Sequence, residues 1–186
     1  MKNRVLSMVA AGALLLFAAP AATQAQWVWA GAGLSVPTGD FGDVTDTGWL
    51  GTVGVGFPIG ESGLGVSAEG FYGQNNASEE AEALGLDKAN IYGVMGNVGY
   101  RLGDPESVGA YLFAGAGLLA AKASPTTGES ETDSNFGYQF GAGVDVPVGG
   151  SVGVWVEGRY MGASGGDDSG DTNLFAILAG LGFGVG

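Results

Sequence analysis

The stretch N-F-G-Y-Q-F-G-A-G-V-D-V-P-V-G-G-S-V-G-V-W-V-E-G-R-Y-M, Asn135 to Met161, decides the fold. Every second residue gives Phe136, Tyr138, Phe140, Ala142, Val144 and Val146, then Val152, Val154, Val156 and Tyr160, with Gly158 as the gap. The alternate set is Gly137, Gln139, Gly141, Gly143 and Asp145, then Gly153, Trp155, Glu157 and Arg159. A period of two is the mark of a strand, because successive side chains leave opposite faces of a sheet. P-V-G-G-S between the runs is a short turn. One face is hydrocarbon; the other is small, polar or charged.

Six further runs repeat this alternation: Trp27–Val36, Trp49–Phe57, Leu64–Gly73, Asn90–Leu102, Val108–Ala121 and Thr172–Val185. The last is apolar on both faces, so its register is not set by pattern. Long polar connections alternate with tight ones such as P-I-G-E-S-G and G-D-P-E-S. Ser78 to Leu86 has the composition of one or two helical turns, weakened by Gly85. Strict long–short alternation over eight antiparallel strands matches a membrane barrel with long external loops and short periplasmic turns. Each run is long enough to cross the hydrocarbon when tilted.

Composition narrows the class. Gly makes up 38 of 186 residues, against a usual share of ~7 %. These glycines follow period two, which excludes collagen, and so many would destabilise a helical bundle. Residues 1–25 read as a secretory signal peptide: Lys2 and Arg4, an apolar centre around Leu14–Phe17, then small residues ending at Ala25. The rival reading is an uncleaved membrane anchor. Cleavage after Ala25 removes two of six cations and none of 19 acids, leaving 4 − 19 = −15. That balance opposes nucleic-acid binding. With no histidine and no cysteine, serine–histidine hydrolysis, histidine-ligated metals and disulfides are excluded.

The charges obey the alternation. Thirteen acids fall in the four long connections, among them Asp40, Asp43, Asp46, Glu79, Glu80, Glu82, Asp87, Glu131 and Asp133. Glu69, Arg101, Asp145, Glu157 and Arg159 fall within runs, all on the glycine-rich face. A charge on the lipid face costs up to about 2–4 kcal/mol at mid-membrane, so this parity suits a barrel; a water-facing sheet would share it. The aromatic residues separate the two. Trp49, Tyr72, Tyr92, Phe136, Tyr138 and Tyr160 fall outward beside the long loops, and Phe57, Tyr100 and Phe183 outward beside the short turns. Two outer belts mark two lipid–water interfaces. The expected fold is all-β: an eight-stranded antiparallel up-and-down transmembrane β-barrel, 26–186, after the signal peptide.

These residues resemble the small eight-stranded outer-membrane barrels, the OmpA-like, OmpX-like and opacity-protein-like group. The likeness is carried by G-A-G-L-S-V-P-T-G-D-F at Gly31–Phe41, Y-L-F-A-G-A-G at Tyr111–Gly117, E-G-R-Y at Glu157–Tyr160 and G-L-G-F at Gly180–Phe183. It implies residence in the outer membrane, contact with its lipid and lipopolysaccharide, and recognition of a terminal aromatic by the outer-membrane assembly machinery. Barrel enzymes of this shape rely on histidine, so the resemblance implies no catalysis here.

Candidate sites follow from parity. Glu69, Glu157 and Arg159 should meet near mid-barrel, and Arg101 and Asp145 nearer the periplasmic mouth. This interior network either plugs the barrel or gates a narrow channel for water or small solutes. Recurrent G-x-G pairs lie within strands, where they make room for Phe71, Tyr111, Phe113 and Trp155, and no cofactor is expected. D-D-S-G-D offers Asp167, Asp168 and Asp171 as weak oxygen ligands for calcium, and the acidic loops as a whole would recruit divalent cations. The expected function is a structural or surface-interaction barrel with acidic external loops. The alternatives are the gated channel and a soluble periplasmic ligand-binding barrel.

Overall fold

A computed structural model describes residues 26–104, 107–128, 130–164 and 170–185. The expected signal peptide, Asp167 and Asp168 lie outside these described residues. Eight strands close into one barrel in sequence order: β1 (Gln26–Thr38), β2 (Gly48–Pro58), β3 (Leu64–Asn76), β4 (Leu86–Leu102), β5 (Gly109–Pro125), β6 (Glu131–Gly149), β7 (Val152–Ala163) and β8 (Thr172–Val185). Every neighbouring pair is antiparallel, and the β1–β8 seam runs from Gln26 opposite Val185 to Thr38 opposite Asn173. The main chain of each strand is therefore bonded on both sides, the condition for crossing hydrocarbon.

The alternation sets which face is which. Val53, Val94, Val98, Phe140, Val144 and Val156 are exposed, whereas Glu69, Gln139, Glu157 and Arg159 are buried. Strand β8, ambiguous in sequence, puts Leu174, Ala176 and Leu178 inside and Phe175, Ile177, Leu181 and Phe183 outside. The outer aromatics form the expected belts, with Trp49 packed on Tyr72 at 5.6 Å and Phe140 on Tyr160 at 5.4 Å.

Three expectations need correction. Strands β4, β5 and β6 continue well past the aromatic belt, so Asp87, Glu131 and Asp133, expected in loops, lie in strands. Hairpin bonding continues into water at no cost, and only apolar patterning stops there. Second, the polar stretch after β1 contains a short helix, α1 (Asp40–Val44), that the alternation did not announce. The helical turn near Ser78 is α2 (Glu79–Ala83), with the Ser78 hydroxyl accepting from the Ala81 amide at 3.4 Å and Gly85 ending it at φ +91°. Third, the inner face is polar only in part. Toward the long-loop end it becomes an apolar plug of Leu50, Ile91, Leu119, Met161 and Leu174, capped by Phe41 of α1.

The interior glycines act by absence. A Cβ on Gly54 would fall 2.2 Å from the Trp29 ring, on Gly56 2.3 Å from Trp27, and on Gly141 and Gly143 2.8 and 2.6 Å from Phe113 and Tyr111. Each inward aromatic thus lies flat on a neighbouring strand's glycine. Eight strands enclose too narrow a lumen for rings and Cβ atoms together.

Gly54→Val should therefore weaken the folded barrel by about 1–3 kcal/mol through overpacking, with partial recovery in Gly54→Val/Trp29→Ala. Gly96 faces outward, and its nearest neighbour is 3.9 Å from an added Cβ; Gly96→Val should stay within about 0.5 kcal/mol of the parent. Urea unfolding in lipid vesicles reads the difference.

Candidate functional site

Two parts of the molecule hold the chemistry: a charged layer inside the barrel and a ring of loops above it. The layer is built by inward side chains from β3, β4, β5, β6 and β7, the last of which gives two, Glu157 and Arg159. Arg159 on β7 donates through Nη1 and Nη2 to both oxygens of Glu69 on β3, the Nη2–Oε2 bond measuring 2.9 Å. Its Nε donates to Glu157 Oε1 at 2.5 Å, and Nη1 also reaches Gln139 Oε1 at 3.2 Å. Gln139 donates to Glu69 Oε1 at 3.1 Å and to Asn97 Oδ1 at 2.7 Å, while Tyr111 donates its hydroxyl to Glu157 Oε2 at 2.9 Å. The guanidinium also lies 5.2 Å from the Phe113 ring centroid, within cation–π range. Arg159 is 2 % exposed and Glu157 6 %, so water does not screen these charges. Among the described residues, only Trp155 Nε1 is a buried side-chain polar atom without a hydrogen-bond partner.

The structure brings Glu69, Glu157 and Arg159 together and keeps Arg101 with Asp145 as a second pair. Arg101 Nε donates to Asp145 Oδ1 at 3.0 Å and Nη2 to Oδ2 at 2.8 Å. Its remaining donors hold the β4–β5 turn: Nη1 to the Asp104 carbonyl at 2.8 Å and Nη2 to that of Ser107 at 2.9 Å. This half-exposed pair organises a turn.

Gln139, Asn97 and Tyr111 complete the layer. Sequence reading placed Gln139 and Tyr111 on the inner face but not in the network. Parity gives a residue's face; depth depends on register between distant strands.

Above the plug the loops are tied together. Asp46 donates its amide to the Asn76 carbonyl at 2.9 Å, and Ser78 to that of Val44 at 3.0 Å. Asn75 Nδ2 donates to the Asp46 carbonyl at 2.8 Å, and Thr126 donates its amide to Gly85 O at 2.8 Å. Asp171 donates its amide to Asp40 Oδ2 at 3.2 Å. Asp40, Asp43, Glu79, Glu80 and Glu82 ride on α1 and α2 among these tied connections. Among the described residues no group of three or more acids is spaced to hold a metal ion.

Removing the cation tests the inner layer. Arg159→Met leaves two buried carboxylates unpaired and should cost about 3–5 kcal/mol. Arg159→Met/Glu69→Gln/Glu157→Gln, which removes all three charges, should unfold within about 1–2 kcal/mol of the parent or above it. Urea midpoints in vesicles measure both.

The chain matches the family described as "Outer membrane protein beta-barrel domain" over residues 9–183. No curated protein matches it in sequence. Among solved structures it is similar to Neisserial surface protein A, at 18 % identity over 86 % of this chain and 97 % of that one, with a TM-score of 0.71. Ail, the attachment invasion locus protein of Yersinia pestis, follows at 19 % identity, 87 % and 99 % coverage and a TM-score of 0.58. The N-terminal β-barrel domain of Pseudomonas aeruginosa OprF gives 13 %, 87 %, 98 % and 0.54. At these identities the likeness is one of fold. The match over nearly the whole chain, with the closed barrel and its aromatic belts, places the protein in the outer-membrane β-barrel family, as an integral protein of the outer membrane.

Proposed function

We propose that this chain is a non-enzymatic surface barrel, a membrane-held mount that presents a rigid acidic platform for contact with another surface. One observation carries the reading. The external half of the lumen is filled by Leu50, Ile91, Met161 and Leu174, each 0 % exposed, beneath Phe41. A plug of that kind supports a mount over a conduit, since the channel reading needs water at Arg159. It likewise denies a substrate any approach to the buried carboxylates from outside, in a chain without histidine.

The platform's sign indicates its partner. Acids on α1 and α2 attract a cationic surface and repel a polyanion. Ail has been crystallised with the heparin analogue sucrose octasulfate; a ligand of that charge suits this platform poorly. Divalent cations would gather at the loops as diffuse counter-ions, bridging to lipopolysaccharide phosphates. Export by residues 1–25 and recognition of outward-facing Phe183 by the assembly machinery complete the reading.

In planar bilayers the refolded barrel should show no unitary current; discrete conductance steps would sink the mount reading in favour of a channel. Beads carrying cationic protein should bind cells displaying the barrel. Binding should fall several-fold in Glu79→Gln/Glu80→Gln/Glu82→Gln and weaken with salt above the ~10 Å screening regime of 0.1 M.

A further inference from the structure

Among the described residues, five charged side chains point into the barrel below the plug: Glu69, Asp145 and Glu157 with Arg101 and Arg159. Two cations against three carboxylates leave 2 − 3 = −1. Arg101 matches Asp145, and Arg159 divides itself between Glu69 and Glu157. One negative charge at the Arg159 layer is thus unbalanced, in a place where an unbalanced charge is costly.

Exposure shows the side from which it can be answered. Inward residues of the external half, Leu50, Ile91, Leu119, Met161 and Leu174, are closed to water. In the periplasmic half Trp27 is 37 % exposed, and Trp29, Tyr111, Phe113 and Arg101 are half-buried. The lumen is a blind cup that opens to the periplasm and ends at the Arg159 layer.

Aromatic rings tile two facing walls of this cup. Trp27 and Trp29 lie along glycines of β2, with centroids 6.4 Å apart and planes 26° from parallel. Tyr111 and Phe113 lie along glycines of β6, at 6.4 Å and 31°. Strands β1 and β5 stand opposite each other in a closed sheet of eight. Their depths agree. Paired residues lead from Trp29 through Gly54, Glu69 and Met95 to Gly117 one way round. The other way they lead through Gly182 and Gly153 to Pro147, which continues the Gly109–Asp145 register to Ser107. The midpoint on β5 is Leu112, between Tyr111 and Phe113.

A ring with one face on the wall turns the other to the axis. Arg159 shows what such a face accepts, its guanidinium standing 5.2 Å from the Phe113 centroid. Ring faces are electron-rich and attract cations. Tyr111, Trp29 and Trp27 repeat that face toward the mouth. The Tyr111 hydroxyl donates to Glu157 Oε2 at 2.9 Å, which brings the unbalanced layer to the head of the slot.

We propose that the periplasmic half of the lumen binds a small alkylammonium ion, its charge beneath Glu157 and its tail along the tiled rings. The ammonium balances the layer and meets ring faces, and the tail leaves water for an apolar wall. An anion is repelled there, and a bare metal ion would exchange its hydration for rings alone. The cup lies on the far side of the plug from the acidic platform, so its failure would leave that reading untouched.

Nuclear magnetic resonance of the full barrel in a sugar-headed detergent, with labelled tryptophan indoles, tests the cup by titration at constant ionic strength with butylammonium, 1-butanol or butyrate. Butylammonium should shift the Trp27 and Trp29 signals saturably and leave Trp49, on the outer surface, unmoved. Binding should weaken about tenfold in Glu157→Gln and about threefold in Trp27→Leu, read at Trp29. 1-Butanol should bind about tenfold more weakly than butylammonium, and butyrate not at all. Equal affinity for 1-butanol would overturn the proposal, showing an apolar slot only. Unchanged affinity in a folded, heat-modifiable Glu157→Gln barrel would overturn it too, and the Trp27→Leu and 1-butanol comparisons decide if that variant does not fold. Shifts that never saturate, or that Trp49 shares, would show partition into detergent and overturn it equally.

Discussion

Every main-chain amide and carbonyl that crosses hydrocarbon must find its partner within the protein, because lipid offers none. The rest of the structure follows from that constraint. It requires the sheet to close, so β8 returns to β1 and no edge remains in the membrane. Closure over eight strands fixes a narrow lumen, and a narrow lumen dictates what can stand inside it. No helix among the described residues is long and apolar enough to cross a membrane; the strands do so.

The lumen is filled by two devices. In the periplasmic half, aromatic rings lie on glycines of the adjoining strand, Trp29 over Gly54 and Phe113 over Gly141. The abundance of glycine is thus a packing requirement, since each missing Cβ is space already occupied by a ring. In the external half, aliphatic side chains meet as a dry plug. Between them lies the Arg159 layer, whose charges are tolerable only because each is multiply bonded. Tyr111, Gln139 and Asn97 supply the neutral donors and acceptors that a bare triad would lack.

Outside the membrane, main-chain bonds tie the first external connection to the second and the second to the third, and Asp40, Asp43, Glu79, Glu80 and Glu82 ride on the two short helices there. Among the described residues this ties three of the connections to their neighbours and gathers acids upon them. Charge is therefore sorted by location: carboxylates paired to arginine within, and acids in excess above.

Much was legible in the sequence because alternation is local. The faces of Phe140, Glu157 and Arg159 follow from their neighbours along the chain, and the strand count, the belts and the membrane follow from those faces. Helix α1 left only Asp40 and Asp43 behind a glycine as its signal, too little to distinguish it from a loop. The ends of β4, β5 and β6 were hidden because hydrophobic alternation stops at the membrane while hydrogen bonding continues beyond it. The partners within the Arg159 layer and the plug depend on register between strands far apart in sequence: Glu69 and Arg159 are separated by 90 residues. Pattern along one strand fixes which way a side chain points. Only the closed sheet decides how high it stands and what it meets.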